Sequence, residues 1–164
     1  MKFIKLSSAQ AWFKNTLFVF VADHGAPIDA TYEMSVDYNH TPLLFYAPDI
    51  LTVPETFTDM AGQIDIFPSI MGLLKLPYTN NTLGINLFKE SRPFIFFGAD
   101  DKYGVMDDEW FLIVRNDHSK KLYRYRNKDT RDYAEERPEI VNKMNVYAES
   151  NLQTFQYLIR NNKQ

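Results

Sequence analysis

An aspartate and a histidine stand side by side where a strongly apolar segment of the chain ends. The segment runs from Thr16 to Ala22, and Asp23, His24 and Gly25 follow it directly. A carboxylate and a neutral imidazole offer one oxygen and one nitrogen to a divalent cation, a donor set suited to zinc or manganese. Because Gly25 has no Cβ, the backbone can turn sharply and let both side chains face one crevice. The pattern predicts two ligands of a metal site.

The same dipeptide has a simpler interpretation, which the residues alone leave open. An aspartate and a histidine at a strand end can be a capping pair, with the imidazole hydrogen-bonded to backbone. Two adjacent residues also cannot complete a metal site, which needs three or four ligands. His40 precedes the second apolar run. It is either a second metal ligand or substrate contact, or a loop histidine bonded to backbone.

Uninterrupted apolar runs predict the strands that position these residues. Thr16–Ala22, Leu43–Ala47 and the segment "RPFIFFGAD" are such runs. The first two are apolar on both faces, which is typical of parallel strands covered by helices. Ligands of open α/β sheets bind beyond the carboxyl ends of the strands. Asp23 and His24 are therefore expected at the end of a central parallel strand, facing a solvent-accessible crevice.

Helical periodicity and capping residues predict the remaining elements. Residues 3–13 have the spacing of one apolar helix face, and a second helix is predicted from Pro68 with Asp65 as its N-cap. Two strand-like runs, Glu109–Arg115 and Lys121–Arg126, flank a polar turn and indicate a β-hairpin. A long helix is expected to end the chain. These elements predict an α/β fold with a seam near residue 98, which separates a core at 1–98 from a hairpin-plus-helix subdomain at 99–164.

Composition excludes several classes of function. The chain has 164 residues, of which 45% are hydrophobic and 24% charged, and its net charge is −3. That charge gives no electrostatic reason to bind nucleic acid. The chain has no cysteine, so it has neither disulfides nor thiolate metal ligands. Its apolar runs are too short to span a membrane. His118, Asp100 and Asp101 are interpreted as solvated turn residues, and the alternating Lys and Arg of the hairpin as a solvent-exposed face.

Four blocks of the sequence together resemble a known family. They are "WFKNTLFVFVADHG", "YNHTPLLFYAPD", "QIDIFPSIMGLLKLP" and "LGINLF". In order and spacing they are similar to the C-terminal part of sulfatase-like enzymes of the alkaline phosphatase superfamily. The branch that they resemble most contains lipoteichoic acid synthase and related phosphoglycerol transferases. The resemblance implies an alkaline phosphatase-like sandwich of parallel strands and helices, followed by an antiparallel hairpin lobe and a terminal helix.

The resemblance also implies a metal-dependent chemistry, and it implies that the catalytic residues come from two parts of the protein sequence. In that family the aspartate and histidine of the "DHG" block bind the catalytic metal, which places Asp23 and His24 on Mn, Zn, Ca or Mg. The nucleophile and an acidic ligand of such enzymes lie far upstream of this block. We therefore expect the chain to be a C-terminal piece of an enzyme, inactive alone, whose partner is the N-terminal part of the same protein. Uncovered apolar surface would then favour self-association.

Several alternatives remain at this stage. The parent enzyme acts on sulfate or phosphate esters, as a sulfatase or a phosphoglycerol transferase. It is alternatively a phosphodiesterase or phosphoethanolamine transferase of the same superfamily, or the chain is a non-catalytic binding module. The resemblance further implies a membrane-anchored parent with an extracytoplasmic catalytic domain, while this piece itself is expected to be soluble.

Overall fold

The computed structural model describes residues 2–26 and 31–161, and these residues form two compact units. Unit 1 contains the described residues within 1–30 and 35–57. Unit 2 contains the described residues within 31–34 and 58–164. Residues 31–34 therefore interrupt unit 1 in the sequence but belong to unit 2. Asp23, His24 and His40 all belong to unit 1.

Unit 1 has short helices around one pair of strands. Its elements are helix α1 (Lys2–Ser7), a 3₁₀ turn (Phe13–Asn15), strand β1 (Phe18–Val21), helix α2 (Val36–Asn39) and strand β2 (Leu43–Tyr46). The first helix is shorter than the predicted 3–13 because it stops at Ser7 and Ser8. The Ser8 hydroxyl donates to the carbonyl of Lys5 at 2.9 Å, a local bond of the kind that competes with helix propagation.

The pairing of β1 corrects the expectation of a central parallel strand. β1 pairs antiparallel with β2, in the register Phe18↔Tyr46 to Val21↔Leu43, and within the described residues these two strands form a sheet of their own. The end of β1 thus lies beside the beginning of β2, so the connection returns at one edge without a crossover. A continuous apolar run predicts a strand, but it carries no information on the direction of the partner.

Aromatic side chains hold one face of this sheet together. The rings of Phe13 and Phe18 have centroids 5.4 Å apart, and Phe3 packs edge-on against Phe18 and Phe20 at 6.0 and 6.4 Å. Large apolar side chains remain exposed on the strands, among them Phe20, Val21 and Leu44. Self-association through such surface stays a prediction.

Unit 2 is an antiparallel sheet backed by one long helix. Its elements are α3 (Ile66–Leu74), β3 (Ile95–Ala99), β4 (Lys102–Met106), β5 (Trp110–Arg115), β6 (Lys120–Arg124) and α4 (Pro138–Asn161). The strand order is β3-β4-β5-β6, with every neighbouring pair antiparallel. The predicted hairpin and terminal helix are confirmed as β5–β6 and α4. Leu112, Leu122 and Met144 are fully buried where α4 packs against the sheet.

One feature of unit 2 differs from the sequence expectations. Strand β4 was not predicted. It pairs with β3 from Ile95↔Met106 to Ala99↔Lys102, so the sheet continues across position 98. The division of the chain into a core at 1–98 and a subdomain at 99–164 stays a prediction. The mixed α/β class, the hairpin lobe and the terminal helix are as predicted.

Residues 31–34 cover the face of the sheet opposite α4. Tyr32 packs against Tyr123 and Phe111, with ring centroids 4.8 and 5.8 Å away. Next to it, the Glu33 carboxylate pairs with Arg115 at 2.7 Å and Lys121 at 3.0 Å. Partial burial raises the pKa of Glu33, but the hydrogen bonds and charges of Lys121 and Arg115 outweigh it and the net pKa is lowered.

A buried ion pair joins α3, the segment after it and α4. The Asp65 side chain is 0% exposed and accepts from the backbone N–H of Gly62 at 2.8 Å and of Ile85 at 2.9 Å. It is also paired with Arg92, whose guanidinium reaches the hydroxyl of Tyr147 on α4 at 3.2 Å. Asp65 occupies the N-cap position of α3, but its side chain makes no cap bond to that helix. Its structural role is confirmed, whereas the expected capping bond is replaced by the ion pair.

Within the described ranges, no helix combines the length and the apolar character needed to cross a bilayer.

We predict that Glu33→Gln destabilises unit 2 in a pH-dependent way. The pKa of Glu33 is lowered in the folded protein, so its contribution exists above the ordinary glutamate pKa of about 4.3 and disappears as the pH falls through the folded value. Both cations are partly solvated, so the loss at pH 7 is at most about 1 kcal/mol. Urea unfolding followed by Trp110 fluorescence in a Trp12→Phe background measures it. Glu135→Gln is the control, because Glu135 is exposed. An equal loss in both variants, or a loss as large at pH 3 as at pH 7, would contradict the prediction.

Removing the buried cation should cost far more. Arg92→Gln leaves the Asp65 carboxylate buried without its charge partner, so we expect a loss of about 3 kcal/mol or more in the free energy of unfolding. Adding Asp65→Asn should recover part of that loss, because the uncompensated charge is gone. Arg160→Gln, at an exposed arginine near the end of α4, is the matched control. A small effect of Arg92→Gln, or no recovery in the double variant, would refute the assignment.

Candidate functional site

Asp23 and His24 lie directly after β1 and are ordered by bonds within their own segment. The backbone N–H of His24 donates to Asp23 Oδ1 at 2.9 Å. The Nδ1 atom of the His24 ring lies 2.8 Å from the carbonyl oxygen of Gly25. A carbonyl only accepts, so Nδ1 carries the proton in this contact. In the neutral form of the ring, the lone pair is then at Nε2.

One nitrogen of His24 and one oxygen of Asp23 lie close to each other. His24 Nε2 lies 3.7 Å from Asp23 Oδ2, and the side chains are 50% and 88% exposed. Bond lengths of about 2.1 Å in a tetrahedral zinc site place neighbouring donors about 3.4 Å apart. A histidine that binds a metal through one ring nitrogen usually donates a hydrogen bond from the other, for example to a backbone carbonyl. The pair therefore fits two positions of a divalent cation's coordination shell.

Gly25 is required here by a close approach of two backbones. Its N–H donates to the carbonyl oxygen of Tyr38 in α2 at 2.7 Å. A Cβ on Gly25 would lie 2.1 Å from the carbonyl oxygen of Asp37 and 3.0 Å from that of His40. No glycine in the described residues has a positive φ. Glycine is therefore required at position 25 by the contact with α2, and not by the sharp turn that the sequence suggested.

Helix α2 also supplies an aromatic neighbour that sequence reasoning missed. The rings of His24 and Tyr38 are stacked, with centroids 4.5 Å apart and planes 18° from parallel. Tyr38 is placed by the helix cap, since its N–H donates to the Ser35 hydroxyl at 3.1 Å. Ser35, three residues before Tyr38, is the local signal of this helix in a polar stretch with little periodicity. Residues 27–30 of that stretch lie outside the described residues.

His40 is close to the pair in the fold but is not joined to it as a ligand. It is exposed and follows the last residue of α2, and its carbonyl lies against Gly25. Within residues 2–26 and 31–161, no group of three His, Asp or Glu side chains is placed to hold a metal. A role for His40 in contacting substrate or a second metal stays a prediction, as does metal binding by Asp23 and His24.

The remaining charged candidates are in unit 2 and have structural or solvated roles. Asp100 and Asp101 are exposed in the β3–β4 turn, and Asp101 pairs with Lys102. His118 is exposed in the β5–β6 turn with a φ of 67°. The hairpin arginines are not simply solvated, because Arg124 pairs with Glu109 and Arg126 with Asp108.

Unit 2 also contains a cavity of about 510 Å³, which has an acidic lining. Its walls come from the residue before β3, the β4–β5 turn with the first residue of β5, and the first turns of α4: Phe94, Asp107, Asp108, Glu109, Trp110, Glu139, Ile140 and Lys143. Asp107 accepts the backbone N–H groups of Glu109 and Trp110, while Asp108 and Glu109 are ion-paired. Most of this acidity is therefore neutralised by the protein, and the cavity does not form a second metal centre.

Comparison with known proteins gives a result at the level of the fold. No family model matches the chain, and no curated protein matches it either. Solved structures do match. A protein of the alkaline phosphatase superfamily from Vibrio parahaemolyticus is 20% identical with a TM-score of 0.67, over 76% of this chain and 31% of that one.

Other structures agree over more of the chain. Ps i-CgsB is 18% identical with a TM-score of 0.69, over 91% of this chain and 39% of that chain. BT4656, solved with its substrate D-glucosamine-2-N,6-O-disulfate, is 14% identical with a TM-score of 0.63, over 98% of this chain and 38% of that chain. The chain thus has the same fold as part of each of these structures, one of which is a protein of the alkaline phosphatase superfamily. It spans between 31% and 39% of the length of these structures.

We predict that Gly25→Ala disrupts the candidate site while Gly98→Ala does not. The new methyl group at position 25 would meet the Asp37 carbonyl, so the segment carrying His24 must move away from α2. At Gly98 a Cβ meets nothing within 4 Å. Two-dimensional NMR should show displaced His24 and Tyr38 resonances only in Gly25→Ala. Unchanged resonances in that variant would mean that the close packing against α2 does not occur in solution.

Proposed function

We propose that Asp23 and His24 are metal ligands of an enzyme that acts on sulfate or phosphate esters. The observation that carries this proposal is the donor pair at the end of β1, with 3.7 Å between Nε2 and Oδ2. The fold shared with the alkaline phosphatase superfamily supports it. The cation would be Zn, Mn, Ca or Mg, since one carboxylate and one imidazole do not select sharply among them.

Each side chain has a definite part in this proposal. His24 donates its Nδ1 proton to the Gly25 carbonyl, which keeps the ring in the tautomer that has a free lone pair at Nε2. Asp23 brings a negative charge that offsets part of the charge of a cation. A divalent cation bound there would polarise an ester oxygen and stabilise the charge that develops on it.

The sulfate ester is the first candidate for the substrate. It is favoured by BT4656, a structure of the same fold whose substrate is a disulfated glucosamine. A phosphoglycerol transferase is the second candidate, favoured by the combination of the "ADHG" and "PLLFYAP" blocks. A phosphodiesterase, a phosphoethanolamine transferase and a binding module without catalysis are the further alternatives.

The full reaction requires groups in addition to this pair. We propose that the nucleophile and the other metal ligands come from another part of the same protein, as the resemblance implies. We further propose that the whole protein is membrane-anchored with its catalytic domain outside the cytoplasm. Under this proposal the 164 residues alone bind metal weakly, because two exposed side chains do not preorganise a full coordination shell.

Manganese titration followed by NMR tests the metal site. Paramagnetic broadening by Mn²⁺ should centre on Asp23, His24 and Gly25. It should be lost in Asp23→Asn and His24→Ala, because the first replaces the carboxylate with a neutral amide and the second removes the imidazole. His118→Asn is the control, since His118 is an exposed turn histidine whose left-handed φ of 67° asparagine tolerates. Broadening centred on the acidic turn at 107–109, or unaltered in His24→Ala, would contradict the assignment.

An activity assay tests the division of the site. The chain alone, with added Mn, Zn, Mg or Ca, should hydrolyse aryl sulfate and aryl phosphate no faster than the metal in buffer. Turnover that survives purification and is abolished by Asp23→Asn would place a nucleophile within these residues. That result would overturn the proposal that the nucleophile lies elsewhere in the protein.

A further inference from the structure

We propose that Tyr38 is a positioning residue for the metal-binding nitrogen of His24. This inference rests on the proposed function, because it concerns the way in which one ligand is aimed. Two observations support it: the imidazole and phenol rings are stacked at 4.5 Å and 18°, and the segment that carries His24 is hydrogen-bonded to the backbone of Tyr38. One residue of α2 thus contacts both the ring and its backbone support.

The two constraints on the imidazole are different and complementary. The contact between Nδ1 and the Gly25 carbonyl fixes which edge of the ring faces the backbone. A single hydrogen bond still permits the ring to tilt about it. The Tyr38 ring lies nearly parallel to the imidazole and restricts that tilt. Together they fix the direction of the Nε2 lone pair, which otherwise would vary in a side chain that is 50% exposed.

The position of Tyr38 is itself held by the backbone. Its N–H is bonded to the Ser35 hydroxyl, and its carbonyl accepts the N–H of Gly25 at 2.7 Å. The contact between α2 and Gly25 leaves no room for a Cβ. The Cα of Tyr38 is therefore held beside the segment of His24, and from there the phenol stacks on the imidazole. The stacked ring face, and not the hydroxyl, does the positioning.

This distinction sets the choice of variants. Tyr38→Phe keeps the ring face and should behave like the wild type, while Tyr38→Leu removes the face and keeps a smaller apolar side chain. Loss of a group that orients a metal ligand typically weakens metal binding by tenfold or more. We expect Tyr38→Leu to weaken Zn²⁺ binding about tenfold and Tyr38→Phe by less than about twofold. Tyr157→Leu, at an exposed tyrosine in α4, is the matched control.

Two measurements separate this inference from the proposed function. In the metal-free chain, which has three histidines, the carbon-bound imidazole protons are assigned by His24→Ala and His118→Asn. Stacking on Tyr38 shifts the His24 signals, so they should move in Tyr38→Leu and stay in Tyr38→Phe and Tyr157→Leu. Calorimetric titration with ZnCl₂ then gives the affinities. Methyl signals of Val19 and Leu43 verify that β1 and β2 are still paired in each variant.

The outcomes have distinct meanings. Moved His24 signals together with a weaker affinity in Tyr38→Leu alone would support the inference. An unchanged affinity in that variant, with β1 and β2 still paired, would overturn it and leave the metal site standing. Absence of zinc binding by the wild type would overturn the proposed function and with it the role of Tyr38. Equal losses in Tyr38→Leu and Tyr38→Phe would also overturn it, because the hydroxyl would then be the group that matters.

Discussion

The ion pair of Asp65 and Arg92 is the constraint on which the arrangement of unit 2 depends. Burying two charges is costly, and the cost is offset only when the remaining hydrogen-bonding positions are filled. Asp65 fills its positions with the backbone of Gly62 and Ile85, and Arg92 reaches Tyr147 on α4 and the carbonyl of Leu83. The start of α3, the segment that follows it and the last helix must therefore come together at one place. The Nε of Arg92 is buried with no hydrogen-bond partner in the described residues.

This pair also shows where sequence reasoning stops. The pattern around Asp65 was sufficient to predict a helix start and a structural role, because an aspartate two or three positions before a proline-led helix is a common cap. It could not identify Arg92, which is 27 positions away and follows a stretch rich in turns. An aspartate at this position can either cap the helix or form a long-range ion pair. Only the tertiary fold, which brings Arg92 to Asp65, decides between these two roles.

The strands give a second example, with a different physical cause. The apolar runs that become β1, β2 and β3 were predicted, because side-chain burial is encoded within each run. Strand β4 was missed, since it begins with Lys102 and contains Gly104. Its glycine is explained only by neighbours, because a Cβ there would lie 2.7 Å from the Phe111 ring. In the same way, the sequence predicted that Asp23 and His24 follow a strand, but not that this strand pairs antiparallel with β2. Strand identity is local, whereas pairing and close approach are not.

The candidate site depends in part on local sequence and in part on contacts between distant residues. Asp23, His24 and Gly25 are adjacent, so their mutual bonds form within a few residues and were predictable in outline. The orientation of the imidazole also needs α2, whose Ser35 and Tyr38 come from a stretch without clear periodicity. A cation held by this pair would keep most of its coordination shell for water, substrate oxygens or further ligands. Such openness suits a catalytic centre better than a structural one, because structural metal sites are closed by four protein ligands. The local geometry therefore suits the proposed ester chemistry, for which we propose that the further ligands come from residues distant in sequence.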